Sequence, residues 1–310
     1  MTSLDRLLGG GLLFCDALFH DLNDVPPTAR WRYEHRVDDR LVGVLDGVVS
    51  DGVLTSGHSA PFGGVDLVRD DPVLEDVVGL VAGARASMVA CGLRSVRVRC
   101  RPAEYSPAEP MIEYALLSAG YTVEHCDLNQ YVDLRRLAPD GDPMTLLGKK
   151  RARDVRADLR LPFRLDEVVS AADLAVCSSI LDANRAAHGR PAGLPLEYLD
   201  RARRALPDRV RPYVLSFDGR PVAAAVVYRV LDDVDLLVAW GDAGDHGLQR
   251  SPMNLLAHRL LERSIATGAR LLDLGPSSEK DGTPNFGLAH FKRSVGAAPG
   301  TRKVLVASLS

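Results

Sequence analysis

The sequence predicts an α/β protein with a mixed sheet, built from two related halves. Short alternating apolar segments, typical of strands, are interspersed with helical patterns along the 310 residues. A helix that ends at glycine, with arginine two residues later and then a strand, occurs twice, at Gly92 and Arg94 and at Gly268 and Arg270. Glycine at these positions suits a left-handed helix cap. We therefore expect one half over residues 1–140 and the other over residues 141–310.

The first half is predicted to alternate between strands and helices. Strands at residues 41–49 and 65–68 flank a loop rich in small residues. Asp71-Pro72 opens a helix that runs to residue 90, because proline is favoured in the first helical turn. A strand, a helix and two further strands follow, at residues 95–100, 110–119, 121–124 and 128–134.

The second half is predicted to begin with a basic amphipathic helix at residues 144–159. A strand and two helices follow, at residues 163–165, 171–187 and 196–205. The turn Asp218-Gly219 joins strands 211–217 and 221–230 in a hairpin. The remaining elements alternate as strand, helix, strand, helix and strand, at residues 234–240, 252–266, 270–274, 285–295 and 302–307.

Composition excludes several classes of protein. The hydrophobic fraction of 46% is typical of a globular chain, and the net charge of −3 provides no overall positive field for nucleic acid or membranes. The five cysteines are scattered without metal or redox spacing, so we expect neither a metal site nor disulfides. The apolar segment 7–14 contains three glycines and does not form a signal peptide. These features predict a cytoplasmic protein with no membrane partner.

Three segments, together with the predicted element order, resemble the FemABX group of acyltransferases, whose two halves are each GNAT-like (acetyltransferase-like). The loop 59–64 reads SAPFGG and resembles a Gly-Gly loop in the N-terminal half of these enzymes. The basic segment 149–156 is similar to the helix that opens their C-terminal half. The third segment comprises LDLGPSS at 272–278 and GLAHFKRSVG at 287–296, similar to the family's Asp-x-Gly strand end and Phe-Lys helix.

The resemblance implies an amide-forming enzyme. FemABX enzymes pass an aminoacyl group from a charged tRNA to an amine without a metal or a covalent intermediate, whereas relatives with the same domain use acyl-CoA. It therefore implies no resident cofactor, with aminoacyl-tRNA or acyl-CoA as the donor substrate. Because the chain lacks an obvious long helical hairpin, we expect a small soluble amine as acceptor, as in specialised peptide biosynthesis.

Three residues are predicted to act in catalysis. The resemblance assigns Lys292 to charge stabilisation on the donor or in the transition state; a solvated helix lysine is the alternative. Asp273, at a strand end, can accept an amine proton or cap the next loop. His290 can deprotonate an amine or simply pack on its helix.

Further residues are predicted to bind substrate or phosphate. The substrate group lies in the two loops and beside the lysine: Ser59, Phe62, Gly63, Gly64, Ser277, Ser278, Asn285 and Phe291. The serines and asparagine suit turns and helix caps equally well. A stripe of basic residues at helical spacing can follow the phosphates of tRNA, a nucleotide-linked acceptor or coenzyme A: Lys149, Arg153, Arg156 and Arg160. A solvated helix face is the alternative.

The loop before Pro252 helps to decide whether the acyl donor is acyl-CoA or an aminoacyl-tRNA. CoA-dependent members place Gln/Arg-x-x-Gly-x-Gly/Ala there, so that backbone amides at a helix N-terminus hold the pyrophosphate. Counted from Arg250, the glycine positions here are Met253 and Leu255. Pro252 lacks an amide N–H, and two aspartates lie nearby in the sequence. We therefore predict an aminoacyl-tRNA donor; the alternatives are an acyl-CoA-dependent N-acetyltransferase and a GNAT-like module that binds without turnover.

Overall fold

The computed structural model describes residues 11–69, 71–138, 141–279 and 281–309, which form two compact units. The first unit takes the described residues of Met1–Asn129, Ser278–Pro284 and Gly300–Ser310. The second takes those of Gln130–Ser277 and Asn285–Pro299. Residue 141, where the sequence predicts the second half to begin, falls in the range of the second unit, whose described residues start at Gln130.

The first unit combines a mixed sheet with three α-helices among its described residues. The helices are α1 (Ala17–Leu22), α2 (Leu74–Ala90) and α3 (Glu109–Ser118). The strands are β1 (Arg30–Val37), β2 (Arg40–Ser50), β3 (Val53–Ser56), β4 (Val65–Leu67), β5 (Ser95–Arg99), the start of β6 (Thr122–Asp133) and most of β12 (Ala298–Ser308). Their order is β1-β2-β3-β5-β12-β6, and β4 also pairs with β2. Only β3 and β5 are parallel among the pairs with a recorded register in this unit.

The second unit contains five α-helices in its described part. They are α4 (Lys149–Asp158), α5 (Ala171–Ala187), α6 (Leu196–Ala205), α7 (Met253–Ala266) and α8 (Phe286–Ser294). The end of β6 is followed in the sheet by β11 (Leu271–Pro276), β10 (Val234–Asp242), β9 (Arg220–Leu231), β8 (Val210–Phe217) and β7 (Phe163–Glu167). The strands β10 and β11 are parallel, and the pairs from β10 to β7 are antiparallel.

Each unit has its own apolar core. In the first unit, α2 and α3 cover the sheet with residues such as Leu80, Met88 and Ile112. In the second, α4 and α7 contribute residues such as Val155 and Leu256. The apolar spacing that predicts these helices therefore also gives their buried faces.

Most predicted elements are present, and the element order confirms the predicted α/β class with mixed sheets. Several boundaries differ: the last strand begins at Ala298 rather than at residue 302, and the helix predicted to open at Asp71-Pro72 begins at Leu74. Two further predictions were wrong. The helix predicted over 144–159 is a 3₁₀ turn at Pro143–Leu146 followed by α4, because Gly148 between them is extended (φ −59°, ψ 145°). The two strands predicted at 121–124 and 128–134 are the single strand β6, in which Asp127 is a buried, hydrogen-bonded position. Helix α1 and strands β1 and β3 were not predicted.

Candidate functional site

The central feature of the second unit is the point where the parallel strands β10 and β11 separate. Their pairing ends at Leu236 and Asp273, although β10 continues to Asp242 and β11 to Pro276. The register between β10 and β9 shifts between Leu237 and Ala239, so Val238 is an extra residue in the ladder. Such a bulge redirects backbone groups out of the sheet. The strand ends thus present backbone donors and acceptors that can meet a ligand.

Lys292 lies at this end of β11. Its side chain is 2% exposed and comes from α8. The ammonium Nζ donates to the carbonyl oxygens of Gly275 at 2.9 Å and Pro276 at 2.7 Å. The solvated helix face considered from the sequence is therefore wrong for this residue. A positive group held at a strand end can stabilise negative charge that develops on a carbonyl oxygen.

Asp273 is fully buried on β11. Its Oδ1 accepts the backbone N–H of Gly275 at 2.7 Å, and Gly275 has a left-handed φ of +75°. The carboxylate thus stabilises the turn that carries the two carbonyl partners of Lys292. This contact corresponds to the alternative considered from the sequence, in which the carboxylate of Asp273 caps the next loop.

Three hydrogen bonds join the start of α8 to β11 and β6. The side chain of Asn285 accepts the N–H of Leu288 at 2.9 Å and caps the helix, while its own N–H donates to Ser277 O at 2.9 Å. Ser277 Oγ donates to Gln130 Oε1 at 2.6 Å. Gln130 Nε2 in turn donates to Ala289 O at 3.2 Å. Gln130, which was not predicted, therefore links β6 both to Ser277 and to α8.

Phe291 and His290 face different surroundings on α8. The ring of Phe291 packs on Trp240 of β10, with centroids 5.3 Å apart. His290 is exposed. Residues two apart on a helix point about 200° away from each other, so His290 and Lys292 lie on opposite faces. The structure therefore does not bring the imidazole of His290 to the ammonium of Lys292.

The predicted substrate loop 59–64 lies in the first unit and is tightly packed. Phe62 is fully buried, and its ring contacts Phe14 and Tyr105 with centroid distances of 5.1 Å each. A Cβ on Gly63 would lie 2.4 Å from the backbone N of Gly57, and Gly64 has φ +93°. Core packing and backbone conformation therefore account for the Phe-Gly-Gly sequence.

The ends of this loop are also fixed. Ser59 is exposed with φ +54°. The hydroxyl of Ser56 accepts the N–H of Gly64 at 2.8 Å, and Arg99 donates to Ala60 O at 2.7 Å. Among the loop residues predicted from the sequence, only Ser59 offers its side chain to solvent.

Ser278 belongs to the first unit and contacts Asp127 of β6, with an Oγ–Oδ1 distance of 2.5 Å. His125 and Arg302 bond the same carboxylate. Asp127, His125 and Arg302 were not predicted to lie near Ser278, because they come from distant parts of the chain.

The basic stripe is exposed, as its spacing predicts. Ala152 and Val155 face the core, and four basic residues lie on the outside: Lys149, Arg153, Arg156 and Arg160. One detail was wrong. The helix α4 ends at Asp158, so Arg160 lies in the turn beyond it.

The loop before α7 lacks the features of a pyrophosphate site. Arg250 is paired with the buried carboxylate of Asp158, with Nη2–Oδ1 at 2.6 Å and Nε–Oδ1 at 3.1 Å. The first helical N–H, of Met253, donates to Ser251 Oγ at 3.3 Å. Pro252 is buried at the N-cap. The arginine and the first amide thus already have partners within the protein.

Comparison with known families agrees with this architecture. Residues 149–293 match the model of the acetyltransferase (GNAT) domain. That segment contains the separating strands, Asp273 and Lys292. The segment 149–293 is thus similar to a GNAT acetyltransferase domain, and the fold around it is GNAT-like.

Solved structures resemble the whole chain at low sequence identity. FemX has a TM-score of 0.72 at 10% identity, covering 98% of this chain and 96% of FemX. The C-terminal domain of a putative lysylphosphatidylglycerol synthetase from Agrobacterium fabrum has a TM-score of 0.56 at 13% identity, with coverages of 94% and 87%. A tandem GNAT protein from the clavulanic acid biosynthesis pathway has a TM-score of 0.51 at 17% identity, with coverages of 93% and 86%. No curated protein sequence matches the chain significantly.

The described residues contain neither a candidate membrane-spanning helix nor a candidate metal cluster. No helix there combines the length and apolar character that crossing a bilayer requires. No group of three or more His, Cys, Asp or Glu side chains in the described ranges could hold a metal ion.

Proposed function

We propose that this protein transfers an aminoacyl group from an aminoacyl-tRNA to the amine of a small soluble acceptor, forming an amide bond. The observation that carries the choice of donor is the loop before α7. In a CoA-dependent enzyme this loop supplies free amides and small residues to the pyrophosphate. Here Arg250 is held by Asp158 and the glycine positions carry the side chains of Met253 and Leu255.

The exposed face of α4 supports a polyanionic donor. Residues 149–160 contain six basic and two acidic residues, in a chain of net charge −3. One acidic residue, Asp158, is buried against Arg250, and Arg153 approaches the other, Asp154, only at 3.9 Å. The local excess of positive charge on this face is therefore largely uncompensated, which favours phosphate binding.

The end of β11 supports acyl transfer. The ammonium of Lys292, held by two backbone carbonyls, would stabilise the oxyanion that forms when an amine attacks the donor carbonyl. The fold of FemX and of the putative lysylphosphatidylglycerol synthetase domain is consistent with aminoacyl transfer, as is the FemABX resemblance in the sequence.

The donor is tested first by binding. Purified protein is titrated into a mixture of radiolabelled aminoacyl-tRNAs on filters at several salt concentrations, and acetyl-CoA is titrated by calorimetry. We expect salt-sensitive retention of tRNA and no heat with acetyl-CoA. Heat from acetyl-CoA without tRNA retention would refute the proposed donor and leave the GNAT acyltransferase assignment standing.

The α4 face is tested in the same assay with a double variant. Each lost phosphate contact lowers the slope of log K against log salt by about 0.9, so Arg153→Ala with Arg156→Ala should lower it by about 2. The matched control is Arg201→Ala with Arg204→Ala, two exposed arginines at the same spacing on α6. Equal slopes for the two double variants would refute binding by α4.

An acyl-CoA-dependent N-acetyltransferase is the second candidate. The matched domain model is that of an acetyltransferase, and one structural neighbour is a tandem GNAT protein. Acetylation of amines from acetyl-CoA would favour it. A binding module without turnover would retain a ligand but transfer no acyl group from either donor.

A further inference from the structure

The helix α2 of the first unit is apolar on its outer side as well as on its inner side. Only three of its 17 residues are charged: Glu75, Asp76 and Arg85. Its inner side supplies five residues to the core of the unit: Val77, Leu80, Val81, Ala84 and Met88. A helix that is apolar all round is typical of one with protein packed on both sides. The outer side of α2, however, is exposed.

The exposed apolar residues of α2 form one stripe, which we call the α2 stripe: Val78, Ala82, Ala86 and Val89. The two valines are 41% and 49% exposed, and both alanines are exposed as well. At about 100° per residue, these four positions fall within about 80° of one another, opposite the buried residues. A single exposed valine is ordinary, whereas a continuous apolar surface marks a site of association.

The neighbouring helix α3 extends this surface. It packs beside α2 in the core of the first unit. On its own outer side, Tyr114 is 57% and Leu117 40% exposed. The apolar surface therefore covers two helices of one unit, and the proposed roles of Lys292 and α4 do not use it.

The order of residue sizes along the α2 stripe suits a second copy of the same helix. In an antiparallel pair centred on Ala82, that alanine lies at the level of its own counterpart and Val78 at the level of Ala86. Val89 lies at the level of Glu75, whose methylene stem can cover it. Each valine thus meets a smaller or flexible residue, which lets the helices approach closely. A parallel pair would instead set Val78 against Val78 and Glu75 against Glu75.

The charges at the two ends of α2 favour the same arrangement. The first turn carries Glu75 and Asp76. Just beyond the other end lies the exposed Arg94, whose guanidinium donates to the backbone carbonyl of Asp51. Antiparallel pairing brings the acidic end of each helix towards the basic end of the other, and such complementarity fixes the orientation of partners. The helix dipoles also oppose each other in this arrangement.

We propose that the α2 stripe is the interface of a reversible homodimer in which the α2 helices of two copies pack antiparallel about Ala82. A lipid surface suits the stripe less well, because a helix that lies on anionic lipid carries basic residues beside its apolar face. The charged residue beside this stripe is the acidic Glu75. The inference does not depend on which acyl donor the protein uses.

The size of the interface predicts a weak dimer. A helix of 17 residues is about 25 Å long. Two such helices, flanked by Tyr114 and Leu117, bury less than the about 1,200–2,000 Å² of a stable complex. We therefore expect monomers and dimers to interconvert at micromolar concentrations of the full chain.

Sedimentation velocity over a series of concentrations tests the dimer. The variant is Ala82→Glu, which sets two like charges against each other at the two-fold axis. The control is Val169→Glu, at a valine of the second unit that is 74% exposed. We expect the unsubstituted protein and the control to dimerise alike, and Ala82→Glu to dimerise at least about tenfold more weakly. Circular dichroism checks that both variants are folded.

Disulfide cross-linking tests the orientation of the helices. The exposed cysteines Cys91 and Cys126 are first replaced by serine. In that background, mild oxidation should cross-link Ala82→Cys with itself and Val78→Cys with Ala86→Cys. Val78→Cys should not cross-link with itself, because the two positions lie about 12 Å apart along the helix axis, beyond the about 7 Å that a disulfide spans between Cα atoms.

Four outcomes would overturn the proposal. They are a monomer at every concentration, a dimer that Ala82→Glu leaves unchanged, and self-cross-linking of Val78→Cys without cross-linking of Ala82→Cys. The fourth is binding of a monomer to anionic phospholipid vesicles that Ala82→Glu abolishes, which would assign the stripe to a membrane surface. None of these outcomes bears on the acyl donor, which the filter and calorimetric assays decide separately.

Discussion

Replacing Lys292 by methionine would remove the two hydrogen bonds that join α8 to the end of β11. Lys292→Met removes the donor from two carbonyl oxygens, Gly275 O at 2.9 Å and Pro276 O at 2.7 Å. A buried acceptor without a partner costs about 1–3 kcal/mol, so the pair costs about 2–6 kcal/mol. Pro276 O is only partly buried, and methionine avoids the cost of desolvating an ammonium. We therefore expect a loss near the lower end of that range, about 2–3 kcal/mol in the free energy of unfolding.

Urea unfolding followed by circular dichroism measures this loss. The control is Lys150→Met on α4, where the lysine is exposed. We expect the control to stay within about 0.5 kcal/mol of the unsubstituted protein. Acyl transfer by Lys292→Met, measured where the variant is folded, should fall as well, because the positive charge at the strand end is lost. A Lys292→Met protein as stable as its control would refute the reasoning that this ammonium ties β11 to α8.

Three further predictions concern packing and pH. Gly83→Ala places a Cβ 2.0 Å from Tyr33 Oη, so we expect a loss of about 1–3 kcal/mol in urea unfolding; unchanged stability would show that Tyr33 moves freely. Phe62→Ala removes the centre of the aromatic cluster and should cost about 3–5 kcal/mol; a stable variant with weakened substrate binding would instead support the substrate-loop prediction. A hydrogen bond from His258 lowers the pKa of Glu262 from 4.5 to about 2. Because this pKa is lower in the folded protein, stability present above pH 4.5 should be lost as the pH falls towards 2, and Glu262→Gln should lose less; identical pH profiles would contradict this.

Much of the fold could be predicted from local patterns. The helix ends at Gly92 and Gly268 have left-handed φ values of +72° and +76°, as the cap interpretation requires. The turn at Asp218-Gly219 joins β8 and β9. Strand β1 was missed because its alternation is of aromatic and charged residues rather than apolar and polar ones. Its aromatic side packs on glycines of α2, which only the folded chain reveals.

The candidate site could be predicted only where it is local in sequence. The segment 285–292 supplies both the helix cap and Lys292, and its pattern is the reason that the sequence singles out the lysine, whose role stays a prediction. Burial of that lysine depends on carbonyls of β11, which no spacing rule indicates. The contact of Asp127 with Ser278 joins residues 151 positions apart, so an isolated aspartate in a strand gave no signal. In the Gly-Gly loop, close packing at Gly63 and the positive φ of Gly64 explain why glycine is present. A sequence pattern alone cannot distinguish glycines kept for packing from glycines kept for ligand binding.

The position of β12 has a consequence for how this protein is made. In the first unit β12 lies between β5 and β6, yet the ribosome synthesises it only after the whole of the second unit's main segment. Until then β5 and β6 present backbone groups that await their partner, and unpaired strand edges promote association between chains. Protein expressed as residues 11–129 alone should therefore aggregate, and we expect nascent chains to need chaperone protection until the last strand emerges.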